Sequence, residues 1–272
     1  MNKYNEFSAT FTLLLQEGGL AQGTLATGLT TLRNAELPEK SNFYSGFFNT
    51  STSLERIMKL IVISDYMLDH SFDAPSVKDL KSYGHNLEAL YLSCVAIGKK
   101  HDISHVNRFK KETVELNILS FFSDFAKGSR YYNLDELSGN GNLKNDPLNR
   151  WGNILDKIYE NDVPVKIKEK KNLEVKMHYS MIKDSVNANQ MGMDGKPMTI
   201  FDCIDFPAKQ KLATPYLMPY IFNILRPLVK ILGVLTKETF YSKGGPYTPL
   251  LAEFFLDFDG SESQIRNKKR WP

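Results

Sequence analysis

The chain has 272 residues, of which 42% are hydrophobic and 24% charged, a balance that excludes disordered, collagen-like and coiled-coil fibre classes. Its only cysteines, Cys94 and Cys203, exclude a disulfide framework and any four-cysteine zinc or iron–sulfur site, so a reduced, cytoplasmic setting is expected. Net charge is +3 but unevenly spread: residues 1–140 carry 14 basic and 16 acidic side chains (−2), the remainder 20 and 15 (+5), which permits an anionic partner without demanding one.

From the N-terminus, Met1 to Glu17 holds only the short apolar run Phe11–Leu15, too little for a secretory leader. Leu20, Leu25, Leu29 and Leu32 recur at roughly helical spacing; Gly18, Gly19, Gly23 and Gly28 either weaken that segment as a helix or allow close helix–helix approach. Phe47, Leu54, Ile61 and Leu68 fall seven apart, with Phe43, Ile57 and Met58 on the same side. This spacing predicts a long amphipathic helix over 42–69, ended before Pro75. Ser76 and Asp79 form a helix-start signal for a helix to about Ile97, with Gly84 as a bend or a point of close approach. A helix rich in phenylalanine follows over 108–126, and Pro147 opens another to Tyr159.

After Asp162 the pattern reads as alternating. Val163, Val165 and Ile167, then Leu173, Val175, Met177 and Tyr179, alternate with charged residues, and Asp194-Gly195 is a hairpin-turn signal. Residues 163–205 are therefore predicted to be a small β-hairpin insertion. Helix returns over 215–240, bent at Pro227. Its apolar stretch Tyr216–Leu235 is interrupted by Arg226 and Lys230, so no membrane span is expected. Leu250–Phe258 reads as helix or strand, and the basic tail Arg266–Pro272 as solvated.

Three local patches occur in order. They are Phe47-Phe48-Asn49-Thr50-Ser51-Thr52-Ser53-Leu54-Glu55-Arg56, the run Lys81-Ser82-Tyr83-Gly84-His85-Asn86-Leu87 ending at Leu90, and Phe125-Ala126-Lys127-Gly128-Ser129-Arg130-Tyr131-Tyr132-Asn133-Leu134-Asp135. Together they resemble the HEPN superfamily of bacterial helical domains, over about residues 20–137. The resemblance implies an up-and-down helical bundle, here over 15–160, followed by a smaller α+β extension over 161–272. It also implies a homodimer and a component of an antiviral-defence or toxin–antitoxin system that handles RNA or nucleotides. Family ribonucleases use an arginine and a histidine four to six residues apart, the histidine moving a proton and the arginine holding the phosphate. Arg130 matches the arginine, but no histidine follows it at that spacing. His85 serves as acid–base only if folding brings it to Arg130.

Phosphate contact is expected at Tyr131 and Asn133 and at the basic cluster Lys99, Lys100, Arg108, Lys110 and Lys111. A second cluster is Lys166, Lys168, Lys170 and Lys171. His101 and His105 have a spacing that suits zinc, but the glutamate of the metalloprotease motif is absent. With neither a phosphate loop nor a dinucleotide fingerprint, no cofactor is expected. RNA, a nucleotide or a partner protein remain as ligands, the last pointing to a non-catalytic interaction or dimerisation module.

Overall fold

Ser8 opens the first helix: its hydroxyl accepts the backbone N–H of Phe11 and so caps α1 (Ala9–Asn34). In the computed structural model, which describes residues 7–104, 106, 108–139 and 146–272, α1 packs along α2 (Lys40–Asp69) in the most extensive helix pairing of the molecule. The small residues make this possible. A methyl group on Gly28 would lie 2.5 Å from Thr50 Oγ1 and 2.7 Å from its backbone nitrogen, and one on Gly46 would lie 2.6 Å from the Leu32 side chain. Ser53 donates a buried 2.7 Å hydrogen bond to the Ala21 carbonyl across the same seam.

The helix expected over 76–97 is two. Ser76 and Asp79 form a reciprocal capping box for α3 (Val77–Ser82), Gly84 takes a left-handed φ of +55°, and the Asn86 side chain caps α4 (Leu87–Lys100). α5 (Val114–Lys127) starts at its Thr113 cap, later than the sequence suggested. A short 3₁₀ turn, Ser129–Tyr131, leads into α6 (Tyr132–Leu137). α7 (Pro147–Asp162) has Pro147 in its first turn and Asp146 as cap. Phe47 of α2, Phe121 of α5 and Trp151 of α7 meet edge-on or tilted with ring centres 4.7–5.0 Å apart, an aromatic knot that ties three helices together.

The hairpin predicted over 163–205 is not formed. Val165–Ile182 is a helix, α8, and the only β feature among the described residues is a single bridge between Met191 and Pro197, closed by the Asp194-Gly195 turn with Gly195 at φ +74°. The small C-terminal extension is therefore helical rather than α+β. The alternation was ambiguous. Val175 is buried in the bundle while Lys168, Lys171, Tyr179 and Ile182 are half-buried, so the inward face repeats every three or four residues. The intervening Lys, Glu and Met residues are good helix formers.

α9 (Ile200–Thr239) is about 60 Å long and touches nearly every other long helix. It begins at Ile200, not at 215, on a Thr199–Asp202 capping box, and it continues through Pro207, Pro215, Pro219 and Pro227. Its Leu217, Ile221, Ile224, Leu228, Ile231 and Leu235 are fully buried, and this burial outweighs the hydrogen bonds the prolines remove. Ile200–Ser242 is also long and apolar enough to cross a bilayer; half of its best window, mean hydropathy 1.4, is buried inside the bundle.

Leu251–Phe258 is 3₁₀, followed by α10 (Glu262–Asn267). The tail is not solvated as expected. Trp271 is buried beside Phe222, its backbone N–H donates to Thr30 Oγ1 at 3.0 Å, and Gln22 donates to the Pro272 carbonyl at 2.8 Å. One continuous hydrophobic cluster runs from Leu14 to Trp271 and crosses the boundary expected near residue 160.

Candidate functional site

Arg130 and His85 share no hydrogen bond or ion pair among the described residues. His85 sits at the α3–α4 junction with Nδ1 3.0 Å from a Glu55 carboxylate oxygen on α2, and Glu55 also receives Lys59 at 2.6 Å. Arg130 lies exposed in the 3₁₀ turn after α5, its guanidinium 5.0 Å above the ring of its neighbour Tyr131. Asp124, the nearest carboxylate on α5, is taken by Lys127 and Arg150, both at 2.9 Å. Asn133 reaches Tyr44 Oη at 3.4 Å, so among the described residues of this cluster Asn133 is the one tied to the bundle by a side-chain hydrogen bond.

The basic cluster around α4 is divided. Lys100 bridges Asp65 and Asp69 of α2 at 2.8 and 2.6 Å, and His101 lies between Asp65 (2.7 Å) and Glu238 (3.4 Å). These contacts tie the end of α4 to α2 and α9. Lys99, Arg108, Lys110 and Lys111 are exposed. His105 lies outside the described residues, and no group of three or more metal-ligating side chains gathers among the rest.

The fold instead assembles a basic cleft of about 690 Å³ from parts that are far apart in the sequence. Arg33 and Asn34 come from the last turn of α1, Lys171 and His178 from α8, Gln210 and Lys211 from α9, and Lys269 from the tail. Each is placed by a local cause. The buried Trp271 and the Asn34 amide, which donates to the Lys269 carbonyl at 2.9 Å, lay the tail beside α1. Gln210, 5% exposed, donates through Nε2 to the Ala35 carbonyl at 2.7 Å, fixing the end of α1 to α9. Val175, the one buried residue of α8, seats that helix as the opposite wall.

The cleft's charges are unequally satisfied. Lys171 pairs with Glu174, but Arg33, Lys211 and Lys269 have no ion-pair partner among the described residues. Arg33 makes a single long hydrogen bond, 3.5 Å from Nη2 to the Arg266 carbonyl, and its Nε is buried without a partner. Burial lowers the Arg33 pKa from its ordinary value, the sign of a cation held at a cost in a partly dry site. The Gln210 Oε1 is likewise buried and unpartnered. A guanidinium and two ammonium groups facing one cavity are the chemistry of phosphate recognition.

A larger cavity of about 960 Å³ lies between α7, the Asp194-Gly195 turn and the start of α9. Its carboxylates are mostly committed to the fold: Asp146 caps α7, Asp202 caps α9, and Asp205 pairs with Lys209 at 2.8 Å.

Of the cleft residues, Lys171 belongs to a cluster the sequence singled out for phosphate contact, and Lys269 to the basic tail expected to be solvated. Nothing in the sequence links positions 33, 211 and 269; a helix end, a helix face and a tail become one site only through tertiary packing. Comparison with known proteins finds no matching family model, no similar curated protein and no similar solved structure.

Proposed function

We propose that the protein binds a phosphate-bearing ligand, single-stranded RNA or a free nucleotide, in the basic cleft between α1, α8, α9 and the tail. The observation that carries this reading is that Arg33, Lys211 and Lys269 line one cavity with no ion pair to any of them among the described residues, so that its four cations outnumber its two carboxylates, Glu36 and the Lys171-paired Glu174. The reading keeps the HEPN-like, cytoplasmic defence or toxin-type role that the ordered sequence motifs suggest, and it moves the ligand away from Arg130. It favours binding over RNA cleavage, because His85 is engaged by Glu55 and not by Arg130.

The test is fluorescence anisotropy with a labelled short single-stranded oligoribonucleotide, across a salt series, with unlabelled ATP as competitor. Three phosphate contacts give a slope of log affinity against log salt of about −2, and each lysine removed lowers it by about 0.7. The Lys211→Gln/Lys269→Gln double variant is expected to bind at least tenfold more weakly with a flatter slope, while Arg130→Ala binds as wild type. ATP competing at the same site identifies a nucleotide as sufficient; RNA binding without ATP competition identifies the polymer. Equal binding by wild type and the double variant, or binding of neither probe, contradicts the proposal.

A further inference from the structure

The basic cleft also holds hydrogen-bond acceptors that the fold leaves unused. Gln210 lines it and is 5% exposed. Its Nε2 donates to the Ala35 carbonyl at 2.7 Å, which fixes the orientation of the amide, and its Oε1 is buried with no hydrogen-bond partner. Glu36 lies one residue beyond that carbonyl. The chain is extended there, with φ −128° and ψ 151° at Glu36, and Ala35 and Leu37 on either side are buried. Alternation along an extended segment then sends the Glu36 side chain the other way, to the cleft that it lines. Its carboxylate makes no capping hydrogen bond to the Leu37–Glu39 turn and joins no ion pair among the described residues.

A phosphodiester carries no hydrogen at neutral pH. It satisfies the cations of the cleft and leaves these acceptors unmatched: the two oxygens of Glu36 and the one of Gln210. A buried polar atom left unpaired is costly, so the site favours a ligand that brings donors beside its phosphate.

We propose that the cleft selects guanine among the bases. This selection rests on the phosphate-binding reading and names the base that accompanies the phosphate. The Watson–Crick edge of guanine carries N1–H and the N2 amino group side by side. N1–H and one N2 hydrogen match the two oxygens of Glu36 in parallel, and the other N2 hydrogen serves Gln210 Oε1. Arg33 and Lys211, long side chains of the same cleft, swing to the phosphate and uncover that oxygen. The other bases bring an acceptor against an acceptor. Adenine has a bare N1 beside its amino group, cytosine a bare N3, and uracil a carbonyl on each side of N3–H.

The test uses the full chain in two paired comparisons. Calorimetric titration compares GTP, ITP and ATP. Fluorescence anisotropy compares a short uridine strand carrying one central guanosine with the same strand carrying one central adenosine. Guanine is expected to bind at least tenfold more tightly than adenine, and ITP, which lacks the N2 amino group, to fall most of the way to ATP. The ITP arm probes Gln210 without a substitution, since Gln210→Leu would also release the Ala35 carbonyl that joins α1 to α9. Glu36→Gln, at an exposed side chain, is expected to erase the preference while ATP binds as well as before. A preference in both pairs identifies the free nucleotide as sufficient; a preference confined to the strands identifies RNA as the source of the base. Equal affinity for guanine and adenine in both pairs, or a preference that survives Glu36→Gln, overturns the inference. If the Lys211→Gln/Lys269→Gln variant then still weakens binding of both bases, guanine selection alone fails and the phosphate reading stands. If no nucleotide or strand binds at all, both fail together.

Discussion

Two glycines of α1, five residues apart, are expected to respond to alanine with opposite sign. At Gly23 an added methyl meets nothing within 4 Å, so the substitution only removes the entropic cost of glycine inside a helix. Gly23→Ala is expected to stabilise the fold by about 0.5–1 kcal/mol. Gly28 gains the same helix propensity, but its methyl would lie 2.7 Å from the Thr50 nitrogen and 3.1 Å from the Asn49 carbonyl carbon, both backbone atoms of α2. Relief requires the two helices to move apart along their longest shared seam. Overpacking costs about 1–3 kcal/mol, and contact with backbone places Gly28→Ala at the upper end, about 2 kcal/mol net after the propensity gain. For a chain of this size each kcal/mol moves Tm by about 2–4 °C. Calorimetry is therefore expected to show Gly23→Ala melting slightly above wild type and Gly28→Ala about 4–8 °C below it. Adding Thr50→Ala removes the Oγ1 clash at 2.5 Å but not the backbone one, so rescue is partial. Shifts of the same sign at the two positions would refute the close-packed α1–α2 seam.

Trp271→Ala is expected to cost about 3 kcal/mol, since the indole is buried against Phe222, and to make the tail the first site of limited proteolysis. At Asp124, burial raises the carboxyl pKa but the hydrogen bonds from Lys127 and Arg150 lower it more, leaving it below the ordinary value. Its stabilisation is present above about pH 4 and is lost as pH falls through the lowered folded value, so Asp124→Asn should lower Tm at pH 6 and leave it nearly unchanged near pH 2–3. The half-exposed pair limits the effect to about 0.5–1 kcal/mol. Burial first, and then the Asp162 carboxylate 3.0 Å away, push the Tyr220 phenol up to about 12. Its neutral form is thus held in the fold, and its contribution fades as pH rises from about 10 toward that value; ultraviolet titration of Tyr220→Phe should lack a late-ionising phenol that the wild type shows.

The sequence made the helical character of the first half legible because its signals were local. Heptad spacing from Phe47 to Leu68 marked α2, Ser76 with Asp79 marked α3, and Pro147 marked the start of α7. Two errors had a common cause in reading local preference without knowing burial. Val163, Val165 and Ile167 suggested a strand, yet the face seating α8 repeats every three or four residues. Helix was expected only from 215, bent at Pro227, yet the start of α9 is marked by Thr199 and Asp202 and its interior is held by apolar burial on several sides. The cleft was the least legible part. Arg33 carries no sequence signal of its own and Lys269 reads as part of a solvated tail; the docking of Trp271 and the Gln210–Ala35 hydrogen bond place them across one cavity.

The central claim is that phosphate binds at the cleft, and diffraction from crystals soaked in tungstate, a heavy phosphate analogue, tests it most directly. The anomalous signal is expected to place one tungstate within hydrogen-bonding reach of Arg33, Lys211 and Lys269. Tungstate bound instead beside Arg130 and Asn133, or along Lys99 to Lys111, with the cleft unoccupied, would contradict it.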